Sequence, residues 1–190
     1  MIVTGIGTCT DSLVVIPSVY QGKTVTGIRA SAFYNCKSIE SVVIPDSVTD
    51  IGEEAYYCCT NLISIIPGNN VSSIGYQAFS NTGYYNDGGI WENEVLYLGQ
   101  YLIKAKSSIS GSYTVKAGTK LIADYAFSYC TSLTSITLPD SVTSIGDWAF
   151  ARCTSLTNIT IPDSVTRIGD YAFHYCTSLT SITFKGTKAQ

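Results

Sequence analysis

The chain of 190 residues is poor in the residues on which most chemistry depends. It holds one histidine and one methionine, and charged residues make up only 13% of it. With His174 as the sole histidine, at most one Ser-His-Asp or Cys-His arrangement is available. No Cys-x-x-Cys pair occurs, which argues against a structural zinc site. The net charge is −3 and there is no run of Lys or Arg, so the electrostatic footprint of a nucleic-acid binder is missing. No apolar run approaches the ~18 residues of a membrane-spanning helix, which argues against direct membrane insertion. Met1 to Leu13 lacks a basic segment followed by a long apolar one and does not read as a signal peptide. The glycines follow isoleucine rather than a strand-to-helix junction, so no phosphate-binding loop is indicated. The chain is therefore expected to lack catalytic residues, cofactors and metals.

What the chain does have is a repeat. Cys130 to Arg152 and Cys153 to Tyr175 are identical at 17 of 23 positions, and Cys176 to Thr183 begins the same pattern again. An Ile-Gly-x-x-Ala-Phe element sets the register, with its aromatic at Phe33, Tyr56, Phe79, Phe127, Phe150 and Phe173. The intervals are 23, 23, 48, 23 and 23 residues. A fixed period of this length signals a solenoid of stacked coils, here about eight by period counting. Apolar residues at 45% of the chain suffice for a continuous core and, with the low charge, exclude disorder.

One coil can be read from its residues. Leu133, Ile136 and Leu138 point inward from a strand, and Thr134, Ser135 and Thr137 point outward. Pro139-Asp140-Ser141 ends the strand and turns the chain. Val142 and Ile145 return inward. Gly146 is expected to permit a tight bend, and Asp147 to cap a short helical turn over Trp148 to Arg152. Phe150 fills the interior. Cys36, Cys59, Cys130, Cys153 and Cys176 recur at one position and read as a column of buried free thiols; Cys9 and Cys58 fall outside it. Stacking the coils pairs their strands into one parallel sheet. The whole chain reads as one domain. It has an N-terminal cap and irregular coil at 1–35, two repeats at 36–81, an irregular inserted coil with a hairpin at 82–112, and resumed repeats at 113–190 ending in a truncated cap.

The pattern L-x-x-I-x-L-P…V-x-x-I-G-x-x-A-F-x-x-C resembles the BspA-type leucine-rich repeat family. The junction is the most specific part: Ala126-Phe127 to Leu133, Ala149-Phe150 to Leu156, and Ala172-Phe173 to Leu179. Tyr56 for Phe, Thr82 for Cys and the 82–112 excursion depart from it. The resemblance implies a β-rich, α/β-type right-handed solenoid. It also implies a non-enzymatic, secreted or cell-surface protein that adheres to host matrix proteins, glycans or other cells. A different class of function is a structural spacer or stalk that presents another domain. The chain is expected to be monomeric.

Two surfaces are candidates for a protein or glycan partner. Three residues after the isoleucine of the Ile-Gly element stand Ser31, Glu54 and Gln77, then Tyr125, Trp148 and Tyr171. Four residues further on in the later coils come Tyr129, Arg152 and Tyr175. Pairs at i, i+4 share a face of a helical turn, so these six predict an aromatic strip with one arginine, the composition of interface hot spots. The second candidate is the outward polar face of the strands, with Thr134, Thr137, Thr157, Asn158 and Thr160. His174 takes the slot of Ser128 and Ala151 and reads as an idle, exposed residue. Asp124, Asp147 and Asp170 form one carboxylate column and Asp140 and Asp163 another, which cap and turn roles explain without a cation. Asn70-Val-Ser72 and Asn158-Ile-Thr160 match the glycosylation sequon.

Overall fold

The computed structural model describes residues 1–5 and 10–186, so Cys9 lies outside the described residues. The fold divides into two compact units, Met1–Trp91 and Glu92–Gln190.

The first unit contains β1 (Ile2–Val3), β2 (Leu13–Val15), β3 (Val19–Tyr20), β4 (Lys23–Thr24), β5 (Gly27–Ile28), β6 (Ser41–Val43), β7 (Asp50–Ile51), β8 (Ser64–Ile66) and β9 (Ser73–Ile74). Each coil gives one strand to each of two parallel ladders, β2-β6-β8 and β1-β5-β7-β9. The expectation of a single parallel sheet is thereby corrected. The segment after the proline turn, Val-x-x-Ile, also pairs in register, aligning Ile28, Ile51 and Ile74. The β3–β4 pair is a tight hairpin across Gln21 and Gly22, both at positive φ, as this turn type demands. Beyond β9 a four-residue helix, α1 (Gly83–Asn86), is capped by Thr82. Thr82 stands where the repeat has cysteine, and its buried hydroxyl donates to Phe79 O at 2.8 Å and accepts from Tyr85 N at 3.0 Å.

β10 (Trp91–Glu92) spans the boundary in sequence, and the second unit goes on with β11 (Val95–Leu98), β12 (Tyr101–Ala105) and β13 (Ser110–Thr114). It continues with β14 (Leu121–Ile122), β15 (Ser132–Thr137), β16 (Ser144–Ile145), β17 (Asn158–Ile161), β18 (Arg167–Ile168) and β19 (Ser181–Phe184). Two ladders recur here, β13-β15-β17-β19 and β10-β11-β12-β14-β16-β18. β11 and β12 form an antiparallel hairpin whose turn places Gly99 at φ 58°. β12 then pairs parallel with β14, so Leu102, Ile122, Ile145 and Ile168 align. The hairpin thus supplies a strand to the repeat ladder and buries Val95, Leu96, Tyr97 and Leu98 as it does so.

Inside each unit the aromatics of the repeat form a continuous stack. Phe33, Tyr56 and Phe79 lie with ring centroids 4.8 and 5.5 Å apart, and Phe127, Phe150 and Phe173 with centroids 5.2 and 5.4 Å apart, all with nearly parallel planes. The cysteine column is a second stack. Its thiols are free, and three of the five donate to the carbonyl of an aromatic in the preceding coil: Cys59 to Phe33 O at 2.9 Å, Cys153 to Phe127 O at 3.2 Å, Cys176 to Phe150 O at 3.0 Å; Cys130 donates to Lys106 O at 3.6 Å and Cys36 to Tyr34 O at 3.8 Å. The column therefore satisfies a buried carbonyl as well as filling space.

Burial pushes the Cys130 thiol up to about 11 and the Cys59 thiol up to about 12. A raised folded-state value favours the protonated form, so this contribution to stability is complete below the ordinary thiol value of ~8.5 and is lost as pH climbs through the folded-state values. The melting temperature is expected to fall between pH 9 and 12. At pH 8 a thiol reagent is expected to modify the half-buried Cys58 well before Cys59, Cys130 or Cys153. Uniform labelling of all these cysteines at the rate of a free thiol would rule out the buried column.

The expected helical turn over Trp148 to Arg152 is absent. The segment is a ribbon of successive turns instead. Ala151 N and Cys153 N bond back to Trp148 O and Phe150 O, while Trp148 N, Phe150 N and Arg152 N donate to Asp170 O, Ala172 O and His174 O of the next coil. Trp148 and Arg152 sit at φ 55° and 60°. Left-handed residues at both ends unwind the helix and turn alternate N–H groups toward the next coil.

Asp147 also differs from its expected role. Its Oδ1 accepts from Asp170 N at 3.0 Å and from the Arg167 guanidinium at 3.0 Å, and Asp124 Oδ1 accepts from Asp147 N at 2.8 Å. The column caps the following coil, not its own turn.

Candidate functional site: the aromatic wall of the second unit

Every coil of the turn ribbon carries two left-handed positions four residues apart. In the first unit they are held by Ser31 and Asn35, Glu54 and Cys58, Gln77 and Asn81, and in the second by Tyr125 and Tyr129, Trp148 and Arg152, Tyr171 and Tyr175. A left-handed backbone is unfavourable for bulky side chains and tolerable for Asn or Gly. The second unit thus places five aromatics and an arginine where local energetics favour small polar residues.

These six side chains come together as two columns. Tyr125, Trp148 and Tyr171 stack face to face, with centroids 5.8 and 4.7 Å apart. In the second column the Arg152 guanidinium lies between two phenol rings, 5.3 Å from the centroid of Tyr129 and 4.9 Å from that of Tyr175. Tyr129 and Tyr175 are each 56% exposed and Tyr171 is 61% exposed. The i, i+4 spacing relates these residues for a different reason than helical geometry, since both positions project from the same turn ribbon.

His174 joins the columns, which corrects its reading as an idle exposed residue. It is half-buried and meets Trp148, Tyr171 and Tyr175 edge-on, at 5.0, 5.4 and 4.3 Å between centroids. Its slot is not an outward one, for the equivalent Ser128 and Ala151 are buried. The edge of the wall rests on Lys104, whose Nζ donates to Tyr125 O at 2.6 Å and whose pKa burial lowers.

The strand face is less available than its composition suggests. Thr134, Thr137, Thr157, Asn158 and Thr160 are all exposed. Thr157, however, donates its hydroxyl to Thr134 O at 3.3 Å and accepts from Asn158 Nδ2 at 3.1 Å. The same hydroxyl-to-carbonyl step recurs at Thr180, toward Thr157 O at 3.1 Å. Thr137 and Thr160 align with Thr183 as an exposed column.

The structure adds a feature that the sequence reading missed. On the β2-β6-β8 ladder the outward column equivalent to these threonines is Val15, Val43 and Ile66. Val15 is 60% exposed and Ile66 56%. The signal was present in the early coils, where both inward and outward strand positions are apolar, but it is visible only once the coils are aligned by register.

The stacked parallel ladders, the inward Leu and Ile positions and the Phe and Cys columns define a leucine-rich-repeat solenoid. The BspA type leucine-rich repeat region matches this chain in six copies, over residues 12–110 and 97–189. The chain belongs to that family.

Among solved structures, it is 35% identical to a leucine-rich cell surface protein of Faecalibacterium prausnitzii, covering 95% of this chain and 49% of that one, with a TM-score of 0.42. It is 23% identical to a leucine-rich repeat protein of Eubacterium ventriosum, covering 93% and 60%, with a TM-score of 0.50. It is 28% identical to the leucine-rich repeat protein of Treponema pallidum, covering 92% and 59%, with a TM-score of 0.36. The chain spans about half the length of the first of these and three-fifths of the others. No curated protein matches it.

Proposed function

We propose that this chain is a non-enzymatic interaction module of a secreted or surface-exposed protein. It holds a host matrix protein, a glycan or a neighbouring cell through the aromatic wall of its second unit. The observation that carries this reading is the placement of Tyr125, Tyr129, Trp148, Arg152, Tyr171 and Tyr175 on left-handed backbone. Such strain is kept where the side chains serve something other than folding, and the first unit forms the same ribbon with Ser, Asn, Glu, Gln and Cys. Three of the six rings and heads are more than half exposed, which covering the wall alone does not require. His174 meets aromatic rings rather than a nucleophile, in keeping with a non-enzymatic role. Family membership supports the location and the general class of partner.

The experiment is a surface plasmon resonance screen of the immobilised chain against matrix proteins and glycans. Saturable binding of at least one class is expected. A chain that serves only as a spacer for another domain would bind none of them, and that result would overturn the proposal.

A further inference from the structure

We infer that Arg152 and its two tyrosines form a carboxylate-binding clamp that takes an acidic glycan, one carrying uronic or sialic acid. The inference rests on the reading of the aromatic wall as the contact surface and names the chemistry that the wall recognises.

The argument starts from how the guanidinium is held. Rings on both sides, 5.3 and 4.9 Å from the guanidinium carbon, attract the cation through their π faces, an interaction that does not consume its N–H donors. Stacking between aromatics removes much of the freedom that a long side chain loses on binding, so the fork is set before a ligand arrives. The ion pairs among the described residues are Lys116 with Glu92, Arg167 with Asp147, and Lys185 with Asp140; Arg152 takes part in none of them. An exposed guanidinium held in this way is complementary to a planar anion bound through two parallel N–H···O bonds, which is the geometry of a carboxylate.

The surroundings select the kind of molecule that carries it. Tyr171 and Tyr175 are more than half exposed, and such rings offer flat apolar surface on which the C–H face of a pyranose can lie. An extended peptide recognised through its main chain would need free backbone donors. At the centre of the wall Trp148 N, Phe150 N and Arg152 N are all taken up by the next coil, at 2.7–2.9 Å. Recognition there is by side chains alone, which suits a rigid ring bearing one carboxylate.

The test is isothermal titration of the full chain with a hyaluronan hexasaccharide and with 3′-sialyllactose, alongside neutral lactose and a poly-glutamate peptide. At least one carboxylated glycan is expected to bind, with affinity that falls as salt is raised, and lactose is not. Arg152→Gln is expected to lose about tenfold or more, because a charge-assisted pair is removed, and Arg152→Lys to recover only part of it. Both substitutions fall on an exposed side chain, and an unchanged melting curve would show that the fold survives. Binding of poly-glutamate with no carboxylated glycan bound would overturn the glycan class. Equal binding of lactose and sialyllactose, or no loss in Arg152→Gln, would overturn the clamp. If a matrix partner lost binding to Trp148→Ala/Tyr171→Ala but not to Arg152→Gln, the wall would stand as the contact surface and the clamp would fall. If neither variant changed binding of that partner, both would fall.

Discussion

Replacing Phe150 with alanine is expected to destabilise the second unit by about 3–5 kcal/mol, the range for removing a buried aromatic from a core. The ring is fully buried and sits in the middle of a stack, 5.2 Å from Phe127 and 5.4 Å from Phe173. Its removal opens a cavity that the coils above and below cannot close, because their separation is set by backbone hydrogen bonds on both ladders. It also breaks two ring contacts, each contributing roughly 0.5–1.5 kcal/mol beyond area burial. In a solenoid each coil is stabilised by its neighbours, so losing the middle ring weakens two interfaces at once. Urea unfolding followed by circular dichroism measures the effect. A loss below roughly 1 kcal/mol would mean that the aromatic stack is not the core of the unit.

The second large effect is expected at a residue with almost no side chain. Gly146→Ala should cost about 1–3 kcal/mol or more, through overpacking rather than through backbone conformation. The sequence predicts a tight bend at this glycine, but it is not among the positive-φ residues. What excludes a side chain is the preceding coil. A Cβ at Gly146 would lie 2.6 Å from Asp124 N and 2.7 Å from Ala123 C. Gly75 and Gly169 meet the backbone of their preceding coils in the same way, at 2.5 Å from Glu53 N and 2.5 Å from Asp147 N. Rigid backbone cannot yield as a flexible side chain would. Gly88→Ala is the control, since a Cβ there has nothing within 4 Å, and it should fall within about ±0.5 kcal/mol. Similar melting temperatures for Gly146→Ala and wild type would show that the coils are not packed this closely.

The repeat was legible because stacking forces each coil to solve the same packing problem with the same residues. Leu133 and Leu156, Phe127 and Phe150, and Cys130 and Cys153 are buried as their recurrence implied. What could not be read was anything decided between coils. The second ladder depends on backbone pairing of strands only two residues long within the Val-x-x-Ile segments, too short for an alternation to show. In sequence Asp147 reads as a cap for the turn that follows it, because intervals along one coil are visible in a sequence and distances between coils are not. The same limit hid the role of Gly146 and the place of His174 among three rings. The six residues of the wall were found through their departure from the repeat. Their left-handed backbone was hidden because Tyr, Trp and Arg give no local sign of it, whereas Asn35 and Asn81 at the equivalent positions do.

The central claim is that partner contact lies on the aromatic wall and not on the outward strand face. It is tested most directly by measuring, on a partner found in the plasmon resonance screen, the affinity of two double variants of equal fold stability. Trp148→Ala/Tyr171→Ala removes the middle and outer rings of the first column, and Thr137→Glu/Thr160→Glu places two charges on exposed neighbours in the strand ladder. The first is expected to weaken binding by about a hundredfold, as loss of hot-spot aromatics does, and the second to leave it within about threefold of wild type, as a change outside the hot spot does. Wild-type affinity in the first variant together with lost binding in the second would place the contact on the strand face and contradict the claim.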